Sequence, residues 1–288
     1  MGSDTTMQDY GYYGPDSAMW KIACEAILNI GGARAVLMQL AHPLVAMGVS
    51  THSSYMADPL GRAMRTFMLS QMLTFGSQAT ARKAARTINQ LHTHVHGTLQ
   101  TQVGAFASDT HYKARDPELL LWVHATLVDT VLYTYPLFIG PLSHAVQEQY
   151  YQESKTLVNL LGLSYARMPK TVDELRQYVD DMVHSQNLAA TPEARQLAQR
   201  VFFPPVPAIL RPLLHLNYFV TCALLPQPIR EMYDLAWSPH QQCVFERFTR
   251  CIRGIIPHLP MNLRILAITQ RMMQQGALTY HAASLQNI

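Results

Sequence analysis

Histidines and arginines crowd two short stretches of this 288-residue chain. His42, His52, Arg62, Arg65 and Thr66 lie between residues 42 and 66, and His92, His94 and His96 follow within LHTHVHG. The neighbours are largely apolar, and such groups are costly to bury unless something pairs with them. Their density points to a site that holds a cofactor. His92 and His96 are four apart, the spacing that places two side chains on one helix face, while His94 points elsewhere. Two readings follow: a pair of zinc ligands with no evident third, or one neutral imidazole serving as axial ligand of haem in an apolar pocket. Arg62 and Thr66 share a face in the same way, with Arg65 adjacent. Arginine there suits a haem propionate, a substrate oxygen or dioxygen, and threonine adds a small hydroxyl. The plain alternatives are histidines satisfied in the core or at the surface, and arginines paired with acids such as Asp58.

Many common chemistries are missing their residues. No glutamate has a histidine three residues on, as carboxylate-bridged di-iron bundles require. No histidine is followed by x-Asp or x-Glu, the usual start of a facial triad. HExxH, GxSxG, GxGxxG, Walker-type loops and CxxCH are absent too.

Composition narrows the partners. Charged residues make up only 14% of the chain, and the net charge of +3 is too small and too dispersed for nucleic acid. Cys24, Cys222, Cys243 and Cys251 show no CxxC spacing and no leader precedes them, so idle thiols in a reducing, cytoplasmic setting are expected. Two nearly uncharged stretches, 35–57 and 119–139, raise the question of membrane spans. The first carries Gln39 and His42, the second His124 and Asp129, so buried core helices are the better reading and no transmembrane anchor is expected.

The elements that must position these residues read as helices. AMWKIACEAILNI is expected to run unbroken to Gly31-Gly32. Asp58-Pro59 and Asp116-Pro117 pair a capping side chain with a proline at the first helical position. Thr171 with Glu174, Thr191-Pro192-Glu193 and Ser238-Pro239 open further helices. Strand and hairpin signals are scarce. The expectation is an all-α domain of about ten helices over 17–288, after an N-terminal tail at 1–16. Pro204-Pro205-Val206-Pro207 is a candidate hinge, but both sides are equally apolar and one domain is kept.

Several segments together carry a family resemblance: GGARAVLMQLAHPLVAMGV, HSSYMADPLGRAMRT, HTHVHG, DPELLLWVHATLVDT, YYQES, LLGL, LRPLLHLNYFVTCALLP and AWSP. In this order and spacing the chain resembles the family of latex-clearing rubber oxygenases and MpaB-type oxygenases. The resemblance implies an all-α, globin-like core, a non-covalent haem b, and dioxygen used to attack a carbon–carbon double bond of an isoprenoid or other apolar small molecule. His92 falls on the family's axial ligand in an H-x-x-V pattern, with Val95 in register. Arg62, Arg65 and Thr66 fall on the R-x-x-K/R-T pattern expected opposite it, where donors stabilise charge developing on oxygen. His42, His52, His124 and Arg34 also match family positions, with hydrogen-bonding or propionate contacts expected around the cofactor; His96 is the alternative ligand. No motif identifies an electron donor. Rubber-cleaving members add a carboxylate upstream of the arginine, whereas nothing acidic lies between Glu25 and Asp58, so direct rubber cleavage is not expected. The competing class is a helical haem protein that senses or stores a ligand without turnover.

Overall fold

Capping chemistry sets most helix starts. In the computed structural model, which describes residues 9–53 and 56–274, the Asp58 carboxylate accepts from Gly61 N and that of Asp116 from Glu118 N. Thr171 and Thr191 cap in the same way, and Ser238 with Gln241 forms a complete capping box. Each such bond satisfies one of the backbone N–H groups that a helix start leaves unpaired.

The elements follow in order as α1 (Ala18–Ala23), α2 (Gly32–Leu40), α3 (Pro43–His52), α4 (Pro59–Phe75) and α5 (Gln78–Thr93). A two-stranded antiparallel ribbon, β1 (His96–Thr98) and β2 (His111–Lys113), comes next, with Gly97 opposite Tyr112. Then come α6 (Pro117–Phe138), α7 (His144–Leu160), α8 (Val172–His184), α9 (Pro192–Phe202) and α10 (Arg211–Leu224). The series continues with α11 (Gln227–Met232), α12 (Pro239–Ile255) and α13 (Met261–Arg264). The all-α expectation holds, with the short ribbon as an unforeseen addition.

Helix α6 is the axis of the fold. α2, α7, α8 and α12 all pack on it, and Trp122, Ala125, Val128 and Phe138 bring it into the main core. Such a helix is apolar nearly all round because it is covered nearly all round. That explains the uncharged stretch at 119–139. Among the described residues no single helix is long and apolar enough to cross a membrane. One pair, Ala26–Leu40 with Pro43–His52, passes by composition but is bent by 105°.

One expectation fails locally. AMWKIACEAILNI is not one helix: α1 stops at Ala23, and a 3-10 turn at Ala26–Gly31 leads into α2. The buried Glu25 lies at this break, paired with Arg264. Its backbone bridges Ile265, so tertiary contacts override the helical period. Gly31 is a close-approach position, since a Cβ there would come within 2.6 Å of Thr130 Cγ2 on α6. Within the expected N-terminal tail, Tyr13 is buried and donates its hydroxyl to Glu153 O on α7, so the described part of that segment is docked.

Candidate functional site

The two stretches that carry the histidines and arginines meet in the hairpin of α4 and α5. The helices join through Gly76 and Ser77, and Leu73, Leu69 and Met72 of α4 pack with Ala84, Ala85 and Ile88 of α5. Leu157, Leu160 and Leu161 brace this cluster from the end of α7. Arg62 lies thirteen residues before the end of α4 and His92 fourteen after the start of α5, about 20 Å from the turn in both cases.

His92 sits in the last turn of α5 with its Nδ1 buried, and among the described residues neither ring nitrogen has a hydrogen-bond partner. Burial pushes its pKa below the ordinary value, and the nearby charge of Arg115 pushes the same way. The ring is therefore neutral near pH 7, the form that binds a metal through a free nitrogen. One turn earlier, Asn89 donates Nδ2–H to Leu160 O at 3.0 Å and leaves its own buried Oδ1 without a partner.

The chain leaves His92 under tight control. Val95 N donates to His92 O, and Val95 Cγ1 lies 3.2 Å from where a Cβ on Gly48 of α3 would stand. Gly97 then lets the Tyr112 ring cross β1, because a Cβ there would come within 2.6 Å of the tyrosine oxygen. Close packing thus accounts for both Val95 and Gly97 in HTHVHG.

Arg62 is half-buried and donates from Nε to Ser53 Oγ at 2.7 Å. Thr66 is exposed on the same helix. Arg65 is exposed and pairs with Asp58 at 3.1 Å, the plain surface reading raised for it. Met64 and Leu91 are 58% and 59% exposed on the two helices. These ends of α4 and α5 therefore carry an imidazole, guanidinium groups and uncovered apolar side chains.

The other candidate residues lie in different surroundings. The expected shared face of His92 and His96 is not formed, because α5 ends at Thr93 and His96 already belongs to β1. His96 is exposed, and its carbonyl lies 3.0 Å from His52 Nε2. His94 is exposed and turns its Nδ1 to Gln90 O. Among the described residues no three His, Cys, Asp or Glu side chains are grouped to hold a metal ion, so the zinc reading lacks its ligand set.

His124 is a core histidine: its Nε2 lies 3.3 Å from Ser154 Oγ, its ring stacks on Tyr151, and burial lowers its pKa to about 4. His42 is the N-cap residue of α3, buried against Phe106, with an unpartnered Nδ1 and a pKa lowered by burial to about 4. Arg34 is buried too. It binds Asp129 at 2.6 Å, Thr130 Oγ1 and Leu224 O, and stacks on Tyr133, tying α2 to α6 and α10. A cavity of about 310 Å³ opens beside that pair, lined also by Arg176, Asp180 and His184, and includes none of the hairpin residues.

Arg115 was not among the residues singled out from sequence. It occupies the turn between β2 and α6, is exposed, and makes no hydrogen bond or ion pair among the described residues, yet its charge reaches His92. The ribbon that puts it there has no hairpin signature to reveal it.

Comparison with known proteins identifies the family of the chain. Two mycobacterial proteins, the uncharacterized Mb2261 of Mycobacterium bovis and the uncharacterized Rv2237 of Mycobacterium tuberculosis, are each 28% identical over 236 residues. Each match covers 78% of this chain and 89% of the relative. No solved structure matches the chain. The family described as ER-bound oxygenase mpaB/B′/rubber oxygenase, catalytic domain, matches residues 20–254, and this chain belongs to that oxygenase family.

Proposed function

We propose that the protein is a haem b-dependent oxygenase that acts on an apolar small molecule, with His92 as the residue that would hold the haem iron. The observation that carries the reading is His92 itself, whose pKa burial lowers and whose Nδ1 is buried with no partner among the described residues, on the helix that follows the one bearing Arg62 and Thr66. One neutral imidazole beside apolar surface is the donor set that haem requires, and among the described residues no three-residue ligand cluster suits zinc. Arg115, and Arg62 where it does not serve the reaction, would pair with the propionates. When bound, the haem supplies the redox chemistry that activates dioxygen.

The chain's own residues do the rest. Arg62, fixed through Ser53, and the Thr66 hydroxyl donate hydrogen bonds where negative charge develops during oxygen transfer. Met64 and Leu91 offer apolar contact to a bound molecule. An isoprenoid or lipid-like compound with an oxidisable double bond fits such a lining better than a sugar or nucleotide, which would need fixed polar partners. The globin-like arrangement and the cytoplasmic setting belong to the same proposal.

The test is spectroscopic. Purified protein supplemented with haem should show a Soret band that His92→Ala abolishes or shifts strongly, with helical circular dichroism retained. Labelled dioxygen should enter an unsaturated apolar substrate. A colourless protein after supplementation, or loss of the band only in His96→Ala, would overturn the assignment.

A further inference from the structure

Residues 208–216 turn an apolar ridge outward. A 3-10 turn at Ala208–Leu210 runs straight into α10, whose buried residues are confined to Val220–Leu224. Ile209 is 85% exposed and Leu213 60%, and Leu210 and Leu216 are exposed as well. Ile209, Leu213 and Leu216 are spaced i, i+4, i+7 and form one stripe. The walls of a concave pocket cover one another, so a side chain as exposed as Ile209 projects from the surface. Pro204, Pro205, Pro207 and Pro212 stiffen the segment, which lowers the entropy lost when it docks.

Charge supplies the second observation. Residues 203–274 contain seven arginines, no lysine and three acidic residues, a net +4, while the whole chain is +3 and 275–288 carry no charge. Residues 1–202 are therefore at −1, and the basic excess lies in the part of the chain that bears the ridge, with Arg264 of that part taken up by the buried Glu25. Arg211 and His215 are exposed within the ridge itself. Arg247 and Arg250 are exposed on α12, which packs on α10.

We propose that this ridge is a membrane-docking surface, with Ile209, Leu210, Leu213 and Leu216 entering the interfacial layer of an anionic bilayer while the arginines meet its headgroups. An amphipathic basic helix lying in the interface binds in this way, without spanning the membrane. A second protein is the weaker fit, because a narrow projecting ridge does not resemble the broad packed centre of a stable interface. The inference is independent of the haem reading. It places the protein where an apolar substrate would be dissolved.

The experiment is co-sedimentation of the full-length protein with phosphatidylcholine vesicles, with and without phosphatidylglycerol. Binding should favour the anionic vesicles and weaken with salt. The pair Ile209→Asp and Leu213→Asp should reduce partitioning by about tenfold or more, with melting temperature and circular dichroism unchanged because both positions are exposed. Arg211→Glu should reduce binding to the anionic vesicles alone. Wild-type protein that ignores both vesicles, or binding that survives the double substitution, overturns the proposal. A concentration-dependent dimer removed by the same substitutions, without vesicle binding, overturns it in favour of self-association.

Discussion

Asn89 and His92 lie one turn apart on α5, and each carries a buried atom, Oδ1 and Nδ1, with no hydrogen-bond partner. Leu160 O holds the Asn89 amide through Nδ2, so the orientation of Oδ1 is fixed from outside the site. Leaving two buried polar atoms unmatched is expensive, whereas one water bridging Nδ1–H to Oδ1 satisfies both. The bridge would select the tautomer that leaves Nε2 free for a metal. Asn89→Leu is therefore expected to weaken haem binding by about 10–100-fold, while Asn89→Asp, which keeps an acceptor, should hold haem and lower its reduction potential. Haem titration and redox titration check both. Unchanged affinity in Asn89→Leu would count against the bridge.

The sequence made the helices legible because their starts are written in local chemistry. Asp58, Asp116, Thr171, Thr191 and Ser238 each cap as their spacing predicts, whatever lies around them. What it hid depends on long-range contact. The break after Ala23 is set by the Glu25–Arg264 pair, across most of the chain, and the β1–β2 ribbon has few strand-forming residues to betray it. At the site, the i, i+3 and i, i+4 relations hold only while the helix lasts. Arg62 and Thr66 keep theirs, whereas His96 falls beyond the end of α5. Arg115 was invisible because a turn, not a helix period, brings it to His92.

Stability should fall with acid well before the carboxylates titrate. His42 and His124 are each held neutral by burial, with folded pKa near 4 against an ordinary 6.5. Below pH 6.5 the unfolded chain takes up protons on these rings and the folded protein does not, so unfolding is favoured as pH drops. Each histidine contributes a loss of about 1.4 kcal/mol per pH unit between roughly 6.5 and 4. Melting curves of wild type and His124→Gln should converge as the pH drops through this window. A parallel fall in both would exclude His124 as a source.

The Arg34–Asp129 pair should be costly to break from one side. Arg34 is almost wholly buried and binds Asp129 at 2.6 Å, so Asp129→Ala strands a desolvated charge, at a cost of about 3–5 kcal/mol. Replacing both partners, as Arg34→Met with Asp129→Leu, should cost clearly less than the single change. Chemical denaturation with haem absorbance followed in parallel separates this structural role from a cofactor contact. Haem loss without loss of stability would restore Arg34 to the site.

Arg62 lies on α4 and Arg115 in the turn before α6, which allows their roles to be divided. Arg62 is anchored by Ser53 on the helix that also carries Thr66, the arrangement of a fixed donor aimed at developing charge. Arg115 sits in a turn, exposed, where a flexible cation suits a carboxylate of a bound cofactor. Arg62→Ala is expected to leave haem bound and to lower oxygen-dependent kcat by about 10²-fold. Arg115→Ala should instead weaken haem retention and raise the pKa of His92 in the haem-free protein, since it removes a neighbouring positive charge. Proton NMR titration of the His92 ring reads the second effect without any turnover assay, and haem titration reads the first. If Arg62→Ala loses haem while Arg115→Ala keeps it, the two roles are reversed and Arg62 serves a propionate.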